Sequence, residues 1–277
     1  MALKNILVAI NGQRGSDAAL AGAVSLQRHY DAHLTGLFAH GGSSLSHHVK
    51  PWMPKSVQEA ILEADTRSHS EVRSRFEQIC APVPKAQRHY IDSGGPVQRT
   101  VAAYARLFDV TVVGMHDRNS EYGQSHTEIY PDRVAFDSGR PVLIFPPDHA
   151  RDIFGGRAVV AWDGGRAAAR ALADAMQILE TGKSVEIVSV GRAPFQNSLP
   201  GVDVAQVLDR HDIDVTVTEL PRDRRSIADT LVEHCGAVGA GLLVMGAYEH
   251  SPLREGLIGG VTHDIALRAR LPVLMSH

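Results

Sequence analysis

Two stretches of the chain carry residue types that could hold a ligand. The first is Gly246-Ala-Tyr-Glu-His-Ser-Pro-Leu-Arg-Glu-Gly-Leu-Ile-Gly-Gly-Val-Thr262. Gly246 ends an apolar run, where the missing Cβ lets a ligand or a loop come close to the backbone. Gly259-Gly260-Val261-Thr262 precedes a helical pattern that reaches Arg270. The free N–H groups and positive dipole end of such a helix form a ready anion or phosphate site. Thr262 is placed to cap the helix or to offer a hydroxyl to a phosphate oxygen. The same pattern also reads as a plain glycine turn with a structural cap. The second stretch is Ala161-Trp162-Asp163, followed by Gly164-Gly165. Asp163 can accept a hydrogen bond from a ribose hydroxyl or an adenine amine, or it can cap the helix starting near Arg166. The two roles do not exclude each other.

Other chemistry is weaker. Of fifteen histidines, His47-His48 with His40 nearby is the densest group. It lacks HExxH or any other metal-ligand spacing, so it reads as a solvated loop and no metal is expected. His250 and His263 lie near the proposed crevice and could contact a phosphate, but a surface position is the reading taken. No Gly-x-Ser-x-Gly elbow and no Walker Gly-x4-Gly-Lys-Ser/Thr occurs, so no nucleophile, phosphate lysine or dedicated catalytic base is expected. Cys80 and Cys235 form no CxxC and read as two reduced, buried thiols. Arg222-Asp-Arg-Arg225 and Arg268-Ala-Arg270 are short basic groups. The second reads as a helix end that complements the dipole, not as a nucleic-acid surface.

The elements that must position these residues repeat. Asn5-Ile-Leu-Val-Ala-Ile-Asn-Gly-Gln-Arg14 resembles Arg157-Ala-Val-Val-Ala-Trp-Asp-Gly-Gly-Arg166, at a constant offset from 5 to 157. Val110-Thr-Val-Val-Gly114 resembles Leu242-Leu-Val-Met-Gly246, and Pro141-Val-Leu-Ile-Phe145 resembles Pro272-Val-Leu-Met-Ser276. The offset shrinks between these pairs. The first copy holds a Gly/Ser/His/Pro loop, Gly41 to Pro54, and a longer helix, for which the second has no equivalent. Pro146-Pro147 stops a strand, which places a linker at residues 147–155 between a domain over 1–147 and one over 156–277.

Periodicity predicts strands over Asn5–Ile10, His33–Phe38, Gln87–Ile91, Val110–Gly114 and Val142–Phe145. Helices are predicted over Ser16–Tyr30, Ser56–Cys80, Pro96–Leu107 and Pro131–Ser138. In the long helix Val57, Ile61, Ala64, Val72, Phe76 and Ile79 make a buried stripe. The second half predicts strands over Ala158–Trp162, Ser184–Val190, Asp214–Glu219, Leu242–Met245 and Val273–Met275. Its helices are predicted over Arg166–Leu179, Val202–His211, Asp223–Cys235 and Gly260–Arg270. The first and fourth strands of each half are continuous apolar runs, as a strand covered on both faces requires. The fold class is therefore α/β, with a doubly wound, mostly parallel sheet flanked by helices in each half. Ligands in such sheets gather beyond the strand carboxyl ends, where the winding reverses. The crevice residues expected here are Ala161, Trp162, Asp163, Val190, Gly246, Gly259, Gly260, Val261 and Thr262.

Composition narrows the classes. The chain has 277 residues, 44% hydrophobic and 21% charged, enough apolar surface for a core. Formal net charge is −3, so no overall basic field favours nucleic acid. No apolar stretch reaches the roughly 20 residues of a membrane span, and the N-terminus has no signal-peptide layout. A cytoplasmic protein with no membrane and no nucleic-acid partner is expected.

These repeated motifs, together with Val-Met-Gly-Ala-Tyr, Gly-Gly-Val-Thr and the closing Pro-Val-Leu strand, resemble a tandem universal stress protein. The resemblance covers both halves and is strongest in residues 157–277. It implies two five-stranded parallel sheets of the Rossmann-like, adenine nucleotide alpha hydrolase-like kind. It also implies that the halves form an intramolecular pseudo-dimer through their last strands, and such chains could pair again as a homodimer. Some members of the family bind ATP through Gly-x2-Gly-x9-Gly-Ser/Thr after the fourth strand. Here Gly246 matches the first glycine and Gly259 the third, whereas Glu249 replaces the second and Gly260 the Ser/Thr. The first half departs further. Gly114 matches, but Asn11 stands in place of Asp163, and Glu128-Ile-Tyr-Pro131 in place of the Gly259–Thr262 turn. Gly123-Gln-Ser125 remains as a weaker anion turn. The resemblance thus implies a stress-response protein without dedicated catalysis. Its second domain would take ATP, ADP, AMP or another small anionic ligand, with or without magnesium. The alternatives are a ligand-free interaction scaffold and a slow nucleotide hydrolase.

Overall fold

The computed structural model describes residues 3–12, 14–41, 52–115, 129–147, 153–154, 156–191, 202–248 and 260–277. The first half runs β1 (Asn5–Ile10), α1 (Arg14–Tyr30), β2 (His33–His40), α2 (Lys55–Ile79), β3 (Arg88–Gly94), α3 (Val97–Ala105), β4 (Val110–Gly114), α4 (Pro131–Ser138) and β5 (Val142–Phe145). The second runs β6 (Ala158–Ala161), α5 (Arg166–Gly182), β7 (Ser184–Val190), α6 (Val204–Asp209), β8 (Asp214–Leu220), α7 (Ile227–Ala237), β9 (Leu242–Gly246), α8 (Val261–Arg268) and β10 (Val273–Ser276).

The ten strands form one sheet in the order β3-β2-β1-β4-β5-β10-β9-β6-β7-β8. Within each half every pairing is parallel. The expected pair of sheets is fused into one. β5 and β10 meet antiparallel, with Ile144 opposite Val273, Leu143 opposite Leu274 and Val142 opposite Met275. Both are short, fully buried apolar strands. Left open, each would present unpaired backbone groups beside apolar side chains, and pairing them removes both edges.

Strand alternation splits the core between the two faces of the sheet. Ile6, Val8 and Ile10 point to the face covered by α1, α2, α5 and α6. Leu7 and Ala9 point to the face covered by α3, α4, α7 and α8. Both layers run across the seam, so the halves share their core. Local geometry repeats as well. Gly12 and Gly164, each just past the first strand of its half, have φ of +74° and +76°. Asp31 and Lys183, after α1 and α5, have φ of 50° and 57°.

Several expectations need correction. The stripe on α2 is buried only at its C-terminal end, through Val72 and Phe76, with Ile79 half-buried. Val57 and Ala64 are exposed and Ile61 half-buried. A helix of 25 residues is about 37 Å long, whereas the 8-residue β2 spans only about 27 Å. The first half of α2 therefore overhangs the sheet. In α7 the helix starts after Ser226, whose hydroxyl accepts from Asp229 N, and not at Asp223. α6 is shorter than predicted for a similar reason: Asp203 caps it through Gln206 N. The linker is not a bare connector where it is described. Ile153 is buried, and the Phe154 ring stacks on His29 at 4.3 Å. The Gly41–Pro54 loop lies outside the described residues over 42–51. Among the described residues, no helix is long and apolar enough to cross a membrane.

Candidate functional site

In the second half β6 lies between β7 and β9, so the winding reverses between β6 and β9. Parallel crossovers place the N-termini of α5 and α8 at the carboxyl edge of these strands. Ala161 closes β6 and is half-buried, as are Trp162 and Val190, while Asp163 is exposed. Trp162 N donates to Val188 O at 2.8 Å, extending the β6–β7 ladder by one bond. Trp162 packs on the core beneath α5, whereas Ala161, Val190 and Val261 pack on the core of the opposite face. Asp163 Oδ1 accepts from Gly165 N at 2.8 Å, a local turn that aligns the start of α5. Its second carboxylate oxygen has no protein partner among the described residues. The N-cap positions of α5 and α8, Gly165 and Gly260, are extended and receive no side-chain cap. Among the described residues, no side chain caps the first-turn amides of these two helices at this edge. Gly259, Glu249 and His250 lie outside the described residues.

Three expected roles change. Gly246 does not leave room for a ligand. A Cβ there would stand 2.6 Å from both Ala167 C and Ala168 N, so the glycine lets α5 press its backbone onto β9. Gly114 does the same in the first half, where a Cβ would meet Gly15 O at 2.2 Å. Thr262 is buried, and its Oγ1 accepts from Tyr248 N at 3.3 Å, so the hydroxyl fastens the chain after β9 instead of facing the crevice. His263 is half-buried and turned to the seam, with Nδ1 3.3 Å from Asp132 Oδ2.

At the equivalent place in the first half, side chains hold the backbone ends. Ser16 Oγ donates to Asn11 Oδ1 at 2.6 Å and accepts from Asn11 N at 3.1 Å. Ala168 replaces that serine in the second half, which leaves Asp163 without such a tether. Gln98 clamps the start of α4: its Oε1 accepts from Tyr130 N at 3.0 Å, and its Nε2 donates to Tyr130 O at 3.2 Å. Pro131 then opens the helix without an N–H to offer. The Gly123–Ser125 turn lies outside the described residues.

Two buried polar groups escaped sequence reasoning. Asp132 is 2% exposed and accepts from Tyr248 Oη at 2.5 Å across the seam. Burial, then the hydrogen bond and charge of Asp132, pushes the Tyr248 phenol far above its usual range. Glu186 lies in the middle of β7, buried, where it accepts from Thr218 Oγ1 at 2.6 Å and sits 3.0 Å from His234 Nε2 and 3.6 Å from Arg157. Burial alone would raise its pKa. The bonds from Thr218 and His234 and the charges of His234 and Arg157 outweigh that and hold it below the ordinary carboxylate value. A glutamate in the middle of a strand of valine, isoleucine and serine was the available signal. Cys80 and Cys235 are buried free thiols, both pushed up to about 12, by burial in each case and by the Glu186 charge in the second. Within the two basic groups, Arg225 pairs with Asp223 and Glu233, and Arg268 with Asp229 and Asp264.

Strand order, helix placement and the winding reversal between β6 and β9 define a doubly wound α/β protein whose two halves share one sheet. Residues 156–277 match the model of the universal stress protein family. No curated protein matches the chain. Among solved structures, a universal stress protein from Archaeoglobus fulgidus DSM 4304 is similar at a TM-score of 0.67 and 17% identity, covering 99% of this chain and 98% of that one. A putative universal stress protein from Pseudomonas aeruginosa UCBPP-PA14 is similar at 0.56 and 15%, covering 99% and 93%. A functionally unknown protein from Pseudomonas aeruginosa PAO1 is similar at 0.55 and 17%, covering 99% and 92%. At these identities the likeness concerns the fold, which the three structures share with the whole chain.

Proposed function

We propose that the chain is a tandem universal stress protein with domains over 1–147 and 156–277, and that the second domain binds a nucleotide or another small anionic ligand without dedicated catalysis. The difference between the halves carries this reading. The first half fastens its own crevice with Ser16, Gln98 and Pro131. Among the described residues, the second leaves the first-turn amides of two helices and a carboxylate oxygen of Asp163 without a side-chain partner at the corresponding place. In this reading, phosphate sits on the first turns of α5 and α8, between Gly165 and Gly260. Asp163 takes a ribose hydroxyl or an adenine amine, and Ala161, Val190 and Val261 offer an apolar wall to the base. ATP or another adenine nucleotide, with or without magnesium, is the class that best fits such a set. Two buried unpaired thiols suit a reducing compartment such as the cytoplasm.

Mass spectrometry of the native protein tests for co-purified nucleotide. A thermal-shift titration with ATP, ADP and AMP, with and without magnesium, tests added ligand. Ligand at a hundred times its Kd stabilises by about 2.7 kcal/mol, and Asp163→Ala should reduce that gain. Absence of both a bound nucleotide and any shift at millimolar ligand favours a ligand-free scaffold. The closed Thr262 hydroxyl and the helix-filled space at Gly246 are the observations on that side. Sustained nucleotide turnover, abolished by Asp163→Ala, would reassign the domain as a hydrolase.

A further inference from the structure

Three residues that lie far apart in sequence converge at the carboxyl edge of the first half. His40 ends β2, Asp92 lies near the end of the adjacent β3, and His69 comes from the middle of α2. His40 Nε2 is 2.8 Å from Asp92 Oδ1, and His69 Nδ1 is 2.9 Å from Asp92 Oδ2. One ligand atom from each residue lies within 4.8 Å of the other two. The two imidazoles meet edge to face at 4.4 Å. Phe38 stacks on His40 at 5.2 Å and meets His69 edge-on at 5.1 Å. That ring restricts how either histidine can turn. His40 Nδ1 is buried and has no hydrogen-bond partner among the described residues, so Nε2 is the nitrogen it presents. Side-chain exposure rises from 14% at His40 through 27% at His69 to 39% at Asp92, which leaves the group open on one side.

We propose that His40, His69 and Asp92 form a binding site for a divalent transition ion of the zinc type, with water completing the coordination. Imidazole nitrogens with one carboxylate suit zinc, cobalt or nickel, whereas calcium and magnesium prefer all-oxygen sets. A tetrahedral ion with bonds of about 2.0–2.2 Å holds its ligand atoms about 3.4 Å apart. The present spacings need to open by only a few tenths of an ångström where His meets Asp. The ion takes up the lone pairs that now share hydrogens between ring nitrogens and carboxylate, so binding competes with protons and weakens as pH falls. Three of four tetrahedral positions come from rigid elements, and the fourth stays accessible. The site is separate from the crevice at β6 and β9 and does not depend on it.

The test is a zinc and cobalt titration of the full-length chain without nucleotide. It is read by competition with a chromophoric chelator and by the visible spectrum of bound cobalt. The expected result is one ion per chain and a cobalt spectrum of low coordination number. Loss of even an indirect supporting partner costs metal sites about 10–100-fold in affinity, so His69→Ala and Asp92→Asn should each lower affinity at least about tenfold. A His47→Ala/His48→Ala variant should keep it. Asp92→Asn is nearly isosteric and carries the comparison if His69→Ala lowers the melting temperature. No binding by the native chain, or binding that both ligand variants retain in full, would overturn the proposal.

Discussion

Replacing Gly246 by alanine separates two meanings of a glycine at a strand end. The added Cβ would lie 2.6 Å from Ala167 C and Ala168 N and 2.8 Å from the Ala167 side chain. Carbon atoms rest at about 3.5–4.0 Å, so the overlap is about 1 Å, and two of the three obstacles are backbone. No rotamer change relieves it. α5 must lift from β9, and it buries Ala167, Ala168, Ala171, Leu172, Ala175, Ile178 and Leu179 against the sheet. A gap of 0.5–1 Å forfeits about a quarter to a half of each dispersion contact across it. Overpacking costs about 1–3 kcal/mol, and a backbone obstacle puts Gly246→Ala near the upper end. At about 2–4 °C per kcal/mol for a chain of this size class, the melting temperature should fall by about 6–12 °C. Gly236→Ala is the control. A Cβ there meets nothing within 4 Å, the residue lies within α7, and alanine is the better helix former by about 0.5–1 kcal/mol. That variant should melt at or slightly above the native temperature. Calorimetry and urea unfolding of both, each checked for reversibility, measure the difference. Should Gly246→Ala melt like the native protein yet lose ligand binding, the glycine serves a ligand and the packing argument fails.

Other perturbations probe other parts of the fold. Tyr248→Phe strips a donor from the buried Asp132 carboxylate and should cost about 1–3 kcal/mol in urea unfolding; an unchanged midpoint would mean water replaces the phenol. Cys80 and Cys235 should resist a thiol reagent at pH 8 in the native state and both react in denaturant, because thiols pushed up to about 12 form almost no thiolate there. Glu186 has a folded pKa below its unfolded one, so its stabilising effect is present above the unfolded value of about 4.3 and is lost as pH falls through the folded value. The native protein should therefore lose more stability than Glu186→Gln between pH 6 and pH 3; equal slopes in the two melting-temperature profiles would contradict the assigned shift.

The sheet was legible because buried parallel strands write themselves as unbroken apolar runs. β1, β4 and β5 begin and end at the predicted residues, and the order of the second half followed from its likeness to the first. The overhang of α2 was not legible, since helix periodicity shows which face is apolar and not how far the neighbouring strand extends. The turn at Asp163 and the start of α8 were legible because a glycine pair before a helical pattern marks where a helix begins. Gly246 was misread, although the first half held the clue: Gly114 occupies the same place in a half without counterparts of Asp163 and of the Gly259–Gly260 turn, so the glycine had to serve packing. The Asp132–Tyr248–His263 group joins residues 116 and 131 positions apart across the seam, and no local spacing encodes that. For the same reason His40 was weighed with His47 and His48, its neighbours along the chain, and not with Asp92, its neighbour in the sheet.

The antiparallel junction of β5 with β10 decides which way the carboxyl ends of the two sets of parallel strands face. They lie on opposite rims of one ribbon. The ribbon also turns by about 20° at each strand, and five steps separate β1 from β6. Reversal and accumulated rotation together set the carboxyl edges at β1 and β6 roughly at right angles. A flat partner that covers one of them therefore leaves the other uncovered. Anything that engages both must bend around a corner.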